Sequence, residues 1–229
     1  MRRVAVYAGT RNVYGMMAAS CKSLLAHTRV DQVYFLIEDD EFTQPLPDVI
    51  RTVNVSGQDY FPENGPNYDS QWTYMTLIRL ALPWLLMGES RVLWLDVDTI
   101  IQKDIGELFD IDLKGNYCAM AKEPARSTDV FTYHNAGVML MDLDAMFADS
   151  ISDKCCRMVN RKKYTAPDQD AINLICQGEI LELGPEWNAA GCITADVADP
   201  YIRHYAGYQR RLGRMQFEQY AKAEWRVKT

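Results

Sequence analysis

RVLWLDVDTIIQ, residues 91–102, joins an unbroken apolar run to two carboxylates. Val92, Leu93, Trp94 and Leu95 show no polar alternation, the pattern of a strand covered on both faces in an α/β sheet. Asp96 and Asp98 follow at its tip, and strand periodicity puts them on one face with Val97 opposite. In open parallel sheets, ligands bind beyond the carboxyl ends of the strands. Two adjacent carboxylates repel, and a divalent cation removes that cost. Hard oxygen ligands suit Mg²⁺ or Mn²⁺, ions that commonly carry substrate phosphates. The competing reading is a pair of solvated acids opening a loop.

Working outward, VAVYAG (4–9), QVYFLIE (32–38) and IRTVNV (50–55) read as strands. YGMMAASCKSLLAH (14–27) reads as a helix from its three- and four-residue apolar steps. Strand–helix–strand alternation predicts parallel pairing with right-handed crossovers. Residues 56–70 are rich in turn formers and predict a loop. WTYMTLIRLALPWLL (72–86) predicts a long helix that Pro83 ends or kinks. NYCAMAKE (116–123) and NAGVMLMDL (135–143) predict two more strands, and DQDAINLICQG (168–178) a helix with acids in its first turn. The expected architecture is one domain over 1–229, with a nucleotide-binding half at 1–98. The half at 99–229 shapes the other substrate site.

The net charge of −7 argues against nucleic acid as a partner, since phosphate backbones demand a cationic face. The six cysteines include no CxxC pair, which suits a reducing cytosol better than a disulfide scaffold. No stretch approaches the ~20 apolar residues of a spanning helix, and the N-terminal apolar run is too short for a signal peptide. A cytoplasmic protein is expected.

Three families compete for the acidic pair. The aspartate-nucleophile phosphatase motif resembles VLWLDVDTI, but there the motif opens the fold, whereas three strands precede it here. The sugar nucleotidyltransferase loop resembles AGTRN (8–12) without its preceding glycines. The third match covers nearly the whole chain, which resembles the retaining glycosyltransferases of family 8, including glycogenin and lipopolysaccharide galactosyltransferases. The segments carrying it, in order, are NVYGMMAASCKSLL (12–25), LIRLALPWLL (77–86), VLWLDVDTII (92–101), HNAGVMLMDL (134–143), APDQDAINLI (166–175), WN (187–188) and IRHYAG (202–207).

That resemblance implies a GT-A fold, a Rossmann-like mixed sheet flanked by helices. It implies a UDP-hexose donor, glucose or galactose, and Mn²⁺ (or Mg²⁺) held by Asp96, Asp98 and His204. A neutral imidazole with two carboxylates suits Mn²⁺ on chemical grounds as well. The same resemblance puts Ala8, Asn12, Val97 and Gly207 beside the nucleotide, with Asp96 near the ribose. Tyr14 stands one position beyond the family's base-stacking tyrosine, because Asn-Tyr there reads Asn12-Val13-Tyr14 here. Arg79 matches an arginine that contacts the donor, and a structural ion pair is its alternative role. Asn135, Ala136, Asp168 and Gln169 match residues around the transferred hexose, with Gln169 opposite the leaving group. Asp170 is a helix-start acid or an orienting group.

The family motif H-F/Y-x-G-x-x-K-P-W places Arg210 at its diphosphate-binding lysine, while Arg211 and Leu212 replace Pro-Trp. Trp187 and Asn188 are candidates for the acceptor side, with a plain core tryptophan as the equal alternative for Trp187, and loops 56–70 and 124–134 are expected to frame a saccharide or lipid-linked acceptor. YQRRLGRMQFEQYAKAEWRVKT (208–229) interleaves arginines with aromatics, which suggests weak peripheral association with the inner membrane surface. A sugar-nucleotide binding protein without turnover is the remaining alternative.

Overall fold

The computed structural model describes residues 1–70, 72–191, 194 and 197–206. In chain order its elements are β1 (Val4–Ala8), α1 (Tyr14–His27), β2 (Gln32–Ile37), β3 (Ile50–Asn54), α2 (Leu82–Leu85), β4 (Arg91–Leu95), β5 (Thr99–Ile101) and α3 (Gly106–Asp110). Then come β6 (Cys118–Lys122), β7 (His134–Asp142), α4 (Leu143–Ala148), α5 (Ile151–Arg161), α6 (Pro167–Ile175), β8 (Ile180–Leu183) and β9 (Ile202–His204).

Seven strands form one sheet in the order β3-β2-β1-β4-β7-β6-β8. The first four pair in parallel, as the alternation predicts. β7 then runs antiparallel to both β4 and β6, and β8 is parallel to β6. These directions decide where the chemistry collects. The carboxyl ends of β1, β4, β6 and β8 point to one edge, and reversed β7 begins at that edge. In the register, Leu95 of β4 faces Val138 of β7, so residues 135–137 lie beside the tip that carries Asp96.

Both faces of the sheet are covered, which explains the unbroken apolar strands. Val6, Trp94, Met120 and Met139 pack under residues 74–86, α4, α5 and α6. Tyr7, Phe35, Leu93, Leu95 and Leu140 pack under α1 and α3. Alternate residues of β4 thus feed two cores, each contributing roughly 25 cal/mol per Å² of apolar surface buried.

One expected helix differs. Residues 72–86 do not form a long α-helix: a 3₁₀ run, Tyr74–Ala81, leads into the single turn of α2. Pro83 has no N–H for an α-helical bond to the Arg79 carbonyl, so the ladder restarts with Pro83 in the first turn, where an N–H has no helical partner. Arg79 also sends its own Nε to the Thr76 carbonyl at 3.0 Å. Among the described residues, no helix is long and apolar enough to cross a membrane.

Candidate active site

β4 ends at Leu95, so strand periodicity is not what aligns the two acids. A tight turn does it. The Asp96 carbonyl accepts from the Thr99 backbone N at 3.2 Å and from Thr99 Oγ1 at 2.8 Å, which folds Asp98 back toward Asp96. β5 then pairs with β9, with Thr99 opposite His204, and this two-stranded sheet returns the imidazole to the acids. Asp96, Asp98 and His204 each offer a ligand atom, all within 4.8 Å of one another. His204 Nε2 stands 3.2 Å from Asp98 Oδ1 and 3.7 Å from Asp96 Oδ2.

The donor set fits a divalent cation. Among the described residues, His204 Nε2 is buried with no hydrogen-bond partner, an arrangement that is costly unless something else binds it. Its other nitrogen, Nδ1, is 2.8 Å from Asn188 Oδ1. Burial opposes protonation of His204, but the neighbouring Asp98 and Asp96 outweigh it and raise the imidazole pKa. Burial likewise pushes Asp98 upward, and His204 outweighs it, leaving the carboxyl below its ordinary range. Gly137 makes room for the ring: a Cβ there would lie 2.0 Å from His204 Cε1.

Arg79 is buried and fully engaged. Its guanidinium donates to Asp96 Oδ1 at 2.8 Å and to the Ala136 carbonyl at 2.6 Å, and Nε lies 3.1 Å from Asp168 Oδ2. It also sits over the Trp94 ring at 4.4 Å, and Trp94 Nε1 donates to Asp96 Oδ1 at 2.9 Å. Burial raises the Asp168 pKa, and Arg79 opposes that shift. The ion-pair role and the location beside the cleft therefore coexist.

A bulge in β7, opposite Met120 and Ala121 of β6, shifts the register from Met120↔Met139 to Ala121↔Asn135, which frees Ala136 and Gly137 from β6. Side chains claim the freed groups. Ala136 N donates to Gln169 Oε1 at 2.9 Å, and Gly137 N to Asn135 Oδ1 at 3.0 Å. Both amide nitrogens converge on Glu123 Oε2, Gln169 at 2.9 Å and Asn135 at 3.1 Å.

These groups open onto a cleft of about 770 Å³. Ala8, Asn12, Arg79, Asp96, Val97, Asp98, Asn135, Asp168, Gln169 and His204 line it. Ala136, expected beside the donor, is buried and does not line the cleft: its N–H donates to Gln169 Oε1 and its carbonyl accepts from Arg79.

The profile of glycosyl transferase family 8 matches residues 6–209. The chain belongs to this family. General stress protein A of Bacillus subtilis is 30% identical over 146 residues, 57% of this chain and 51% of that protein. Lipopolysaccharide 1,2-glucosyltransferase of Escherichia coli is 28% identical over 148 residues, 58% of this chain and 44% of that protein. The chain spans about half the length of these curated relatives. Among solved structures, glycosyltransferase GlyE of Streptococcus pneumoniae aligns with a TM-score of 0.74 at 21% identity, over 98% of this chain and 61% of that one. Galactosyltransferase LgtC, solved with donor and acceptor sugar analogs, aligns with a TM-score of 0.68 at 20% identity, over 98% of this chain and 97% of that one. The fold is GT-A, with the mixed sheet that family membership implies.

Some expected site residues lie elsewhere. Tyr14 is not in the cleft: its ring packs on Phe42 at 4.8 Å, and its hydroxyl donates to Asp39 and accepts from the Glu38 N–H. It is the first residue of α1 and faces the interior. Trp187 and Asn188 do not line the cleft either. Trp187 stacks on Tyr201 at 4.2 Å, and Asn188 is wholly buried behind His204. Asp170 accepts from the Tyr133 hydroxyl and pairs with Arg126 at 2.6 Å. Gly207, Arg210, Arg211, Leu212 and the segment 208–229 lie outside the described residues.

Sequence reasoning missed Glu123 and Trp72, which line the cleft, as does Arg126 from the loop 124–134 expected at the acceptor. Glu123 follows β6 directly, and because β6 runs in the same direction as β4 the residue after each strand arrives at the same edge, a direction that no local stretch of sequence reveals.

Proposed function

We propose that this chain transfers a hexose, glucose or galactose, from a UDP-sugar to a hydroxyl of a saccharide or lipid-linked saccharide, with retention of anomeric configuration. In this reading residues 1–98 form the nucleotide half of one domain, and 99–229 the half that handles donor sugar and acceptor. The observation that carries it is His204 Nε2, without a hydrogen-bond partner among the described residues and aimed at Asp96 and Asp98 on the floor of a cleft that also holds Arg79 and Gln169.

Asp96, Asp98 and His204 would hold Mn²⁺, or Mg²⁺. When bound, the ion supplies positive charge that offsets the charge growing on a departing diphosphate. Arg79 fixes the Asp96 carboxylate and adds buried positive charge beside it. Ala8, Asn12 and Val97 offer contacts for the nucleoside at the end of β1 and the turn after β4. Asp168 offers acceptor oxygens for sugar hydroxyls. Arg210 stands at the family's diphosphate-binding position by sequence.

In the transfer, the anomeric carbon–phosphate oxygen bond breaks as a bond forms to the acceptor oxygen, through an oxocarbenium-like centre. The acceptor proton passes to the departing phosphate oxygen on the same face. Gln169 lies on the other side as a neutral amide whose oxygen already accepts from Ala136 N and whose nitrogen donates to Glu123. It is a poor nucleophile, which favours a mechanism without a covalent glycosyl-enzyme. Peripheral docking at the inner membrane surface through residues 208–229 belongs to the same reading. Liposome co-sedimentation that survives deletion of 208–229 would exclude it.

The deciding experiment measures UDP release from UDP-glucose and UDP-galactose with Mn²⁺, and again with EDTA. Metal-dependent release with sugar appearing on an acceptor is expected. Phosphate release from a phosphomonoester would instead indicate the phosphatase chemistry, and donor binding without turnover a binding protein.

A further inference from the structure

A chain of hydrogen bonds joins the sugar side of the cleft to the metal-ligand side, and each link has a fixed direction. Two anchors set it. The Glu123 carboxylate accepts from Asn135 Nδ2 at 3.1 Å, and the Gly137 backbone N donates to Asn135 Oδ1 at 3.0 Å. A backbone N–H cannot accept and an ionised carboxylate cannot donate, so the Asn135 amide has a single orientation. The same Oδ1 takes a second bond from Asn188 Nδ2 at 2.9 Å. That turns Asn188 Oδ1 toward His204 Nδ1, 2.8 Å away. An amide oxygen only accepts, so Nδ1 carries the ring proton and the lone pair sits on Nε2.

Two influences oppose each other across this imidazole. Asp98 and Asp96 face Nε2 at 3.2 and 3.7 Å and favour a proton there. With the proton on Nε2, however, the bare Nδ1 would meet the Asn188 oxygen, two acceptors in contact. Asn188 cannot flip to relieve this, because its nitrogen is committed to Asn135. Its backbone is committed as well, with its N–H donating to the Pro185 carbonyl at 3.2 Å and its carbonyl accepting from Thr194.

We infer that Asn188 is a positioning residue: oriented by Asn135, it holds neutral His204 with its proton on Nδ1 and so presents the Nε2 lone pair to a divalent cation. This rests on reading Asp96, Asp98 and His204 as a metal site. Without Asn188, the neutral ring would place its N–H on Nε2 against Asp98 and close itself to the cation.

The test is ¹⁵N NMR of the imidazole rings in the full, metal-free chain, at a pH where the rings are neutral, paired with Mn²⁺ titration followed by EPR. The chain has 3 histidines, so the ring signals are few. Wild type should show His204 protonated on Nδ1. Asn188→Leu should move the proton to Nε2 and weaken Mn²⁺ binding by roughly 10–100-fold, the usual effect of losing such an outer partner. A proton on Nε2 in the wild type would overturn the inference whatever the variant does. So would an unchanged tautomer and Mn²⁺ affinity in Asn188→Leu. The ring signals need neither donor nor acceptor, so a wild-type chain inactive on UDP-sugars would overturn the functional reading and leave this one to the spectra.

Discussion

Arg79 and Asp96 divide one carboxylate between two tasks. Oδ1 is held by the Arg79 guanidinium at 2.8 Å and by Trp94 Nε1 at 2.9 Å, while Oδ2 faces His204. Arg79 also neutralises Asp168, so two acids depend on one cation that is itself buried. Arg79→Met should therefore leave uncompensated carboxylates in the interior and destabilise the fold by about 3–5 kcal/mol, as breaking buried pairs does. Arg79→Lys keeps the charge but cannot reach Asp96, Asp168 and the Ala136 carbonyl together. It should lose less stability than Arg79→Met yet still lower kcat for UDP release. Urea unfolding and steady-state kinetics of both variants check this. Equal stability loss in the two would contradict the charge argument.

Gly137→Ala tests the approach of β7 to the imidazole. A methyl group built there lies 2.0 Å from His204 Cε1, closer than any relaxed contact allows. The obstacle is a buried ring held by Asn188, so the ring must leave its place or β7 must shift. Mn²⁺ affinity should fall by at least about 10-fold, with a stability loss of about 1–3 kcal/mol of the overpacking kind. Unchanged Mn²⁺ binding, read by calorimetric titration, would mean the His204 placement is wrong.

How much of this was readable beforehand depended on whether a residue's role was local. The apolar run of β4 and the acids after it were legible because burial on both faces and charge clustering leave marks in consecutive residues. Even there the local reason differed, since a turn closed by Thr99, not strand periodicity, brings Asp96 and Asp98 together. Asn188 and Glu123 were illegible or misassigned because their roles come from strand direction and from a bulge in β7 opposite Met120 and Ala121. No window of sequence contains both halves of those contacts. The α5 helix was missed for another reason: Ile151, Cys155, Cys156 and Val159 make its buried stripe, but charged neighbours hide it.

The raised pKa of His204 gives the metal-free chain and the metal site opposite pH dependences. Beside Asp98 and Asp96 the folded-state pKa lies above the ordinary 6.5, so protonated His204 stabilises the metal-free fold fully below 6.5. That contribution is lost as pH rises through the raised folded value. Asp98 has a lowered pKa, so its contribution is present above the ordinary carboxylate value of 3.8 and is lost as pH falls through the folded value. Cation binding requires the neutral ring, so Mn²⁺ affinity should rise across the window in which metal-free stability declines. Thermal melts with EDTA and with Mn²⁺, taken over the same pH series, should diverge as pH increases. Parallel curves would remove His204 from the ligand set.

Tyr14 separates what family position implies from what this chain does. Its hydroxyl bridges Asp39 and the Glu38 N–H, and burial first, then Asp39, raises its pKa beyond the ordinary phenol range. Tyr14→Phe leaves the ring against Phe42 but strips both polar partners. It should cost about 0.5–1.5 kcal/mol of stability, the net worth of a hydrogen bond whose partners, Asp39 and Glu38, are only half-buried. KM for the UDP-sugar should stay within about twofold, a difference below 0.5 kcal/mol. Tyr14→Leu discriminates further, because a stacking ring contributes to binding whether or not it carries a hydroxyl. If Tyr14→Leu raises KM tenfold while Tyr14→Phe does not, the ring does contact the base, and the interior placement of Tyr14 would have to be abandoned.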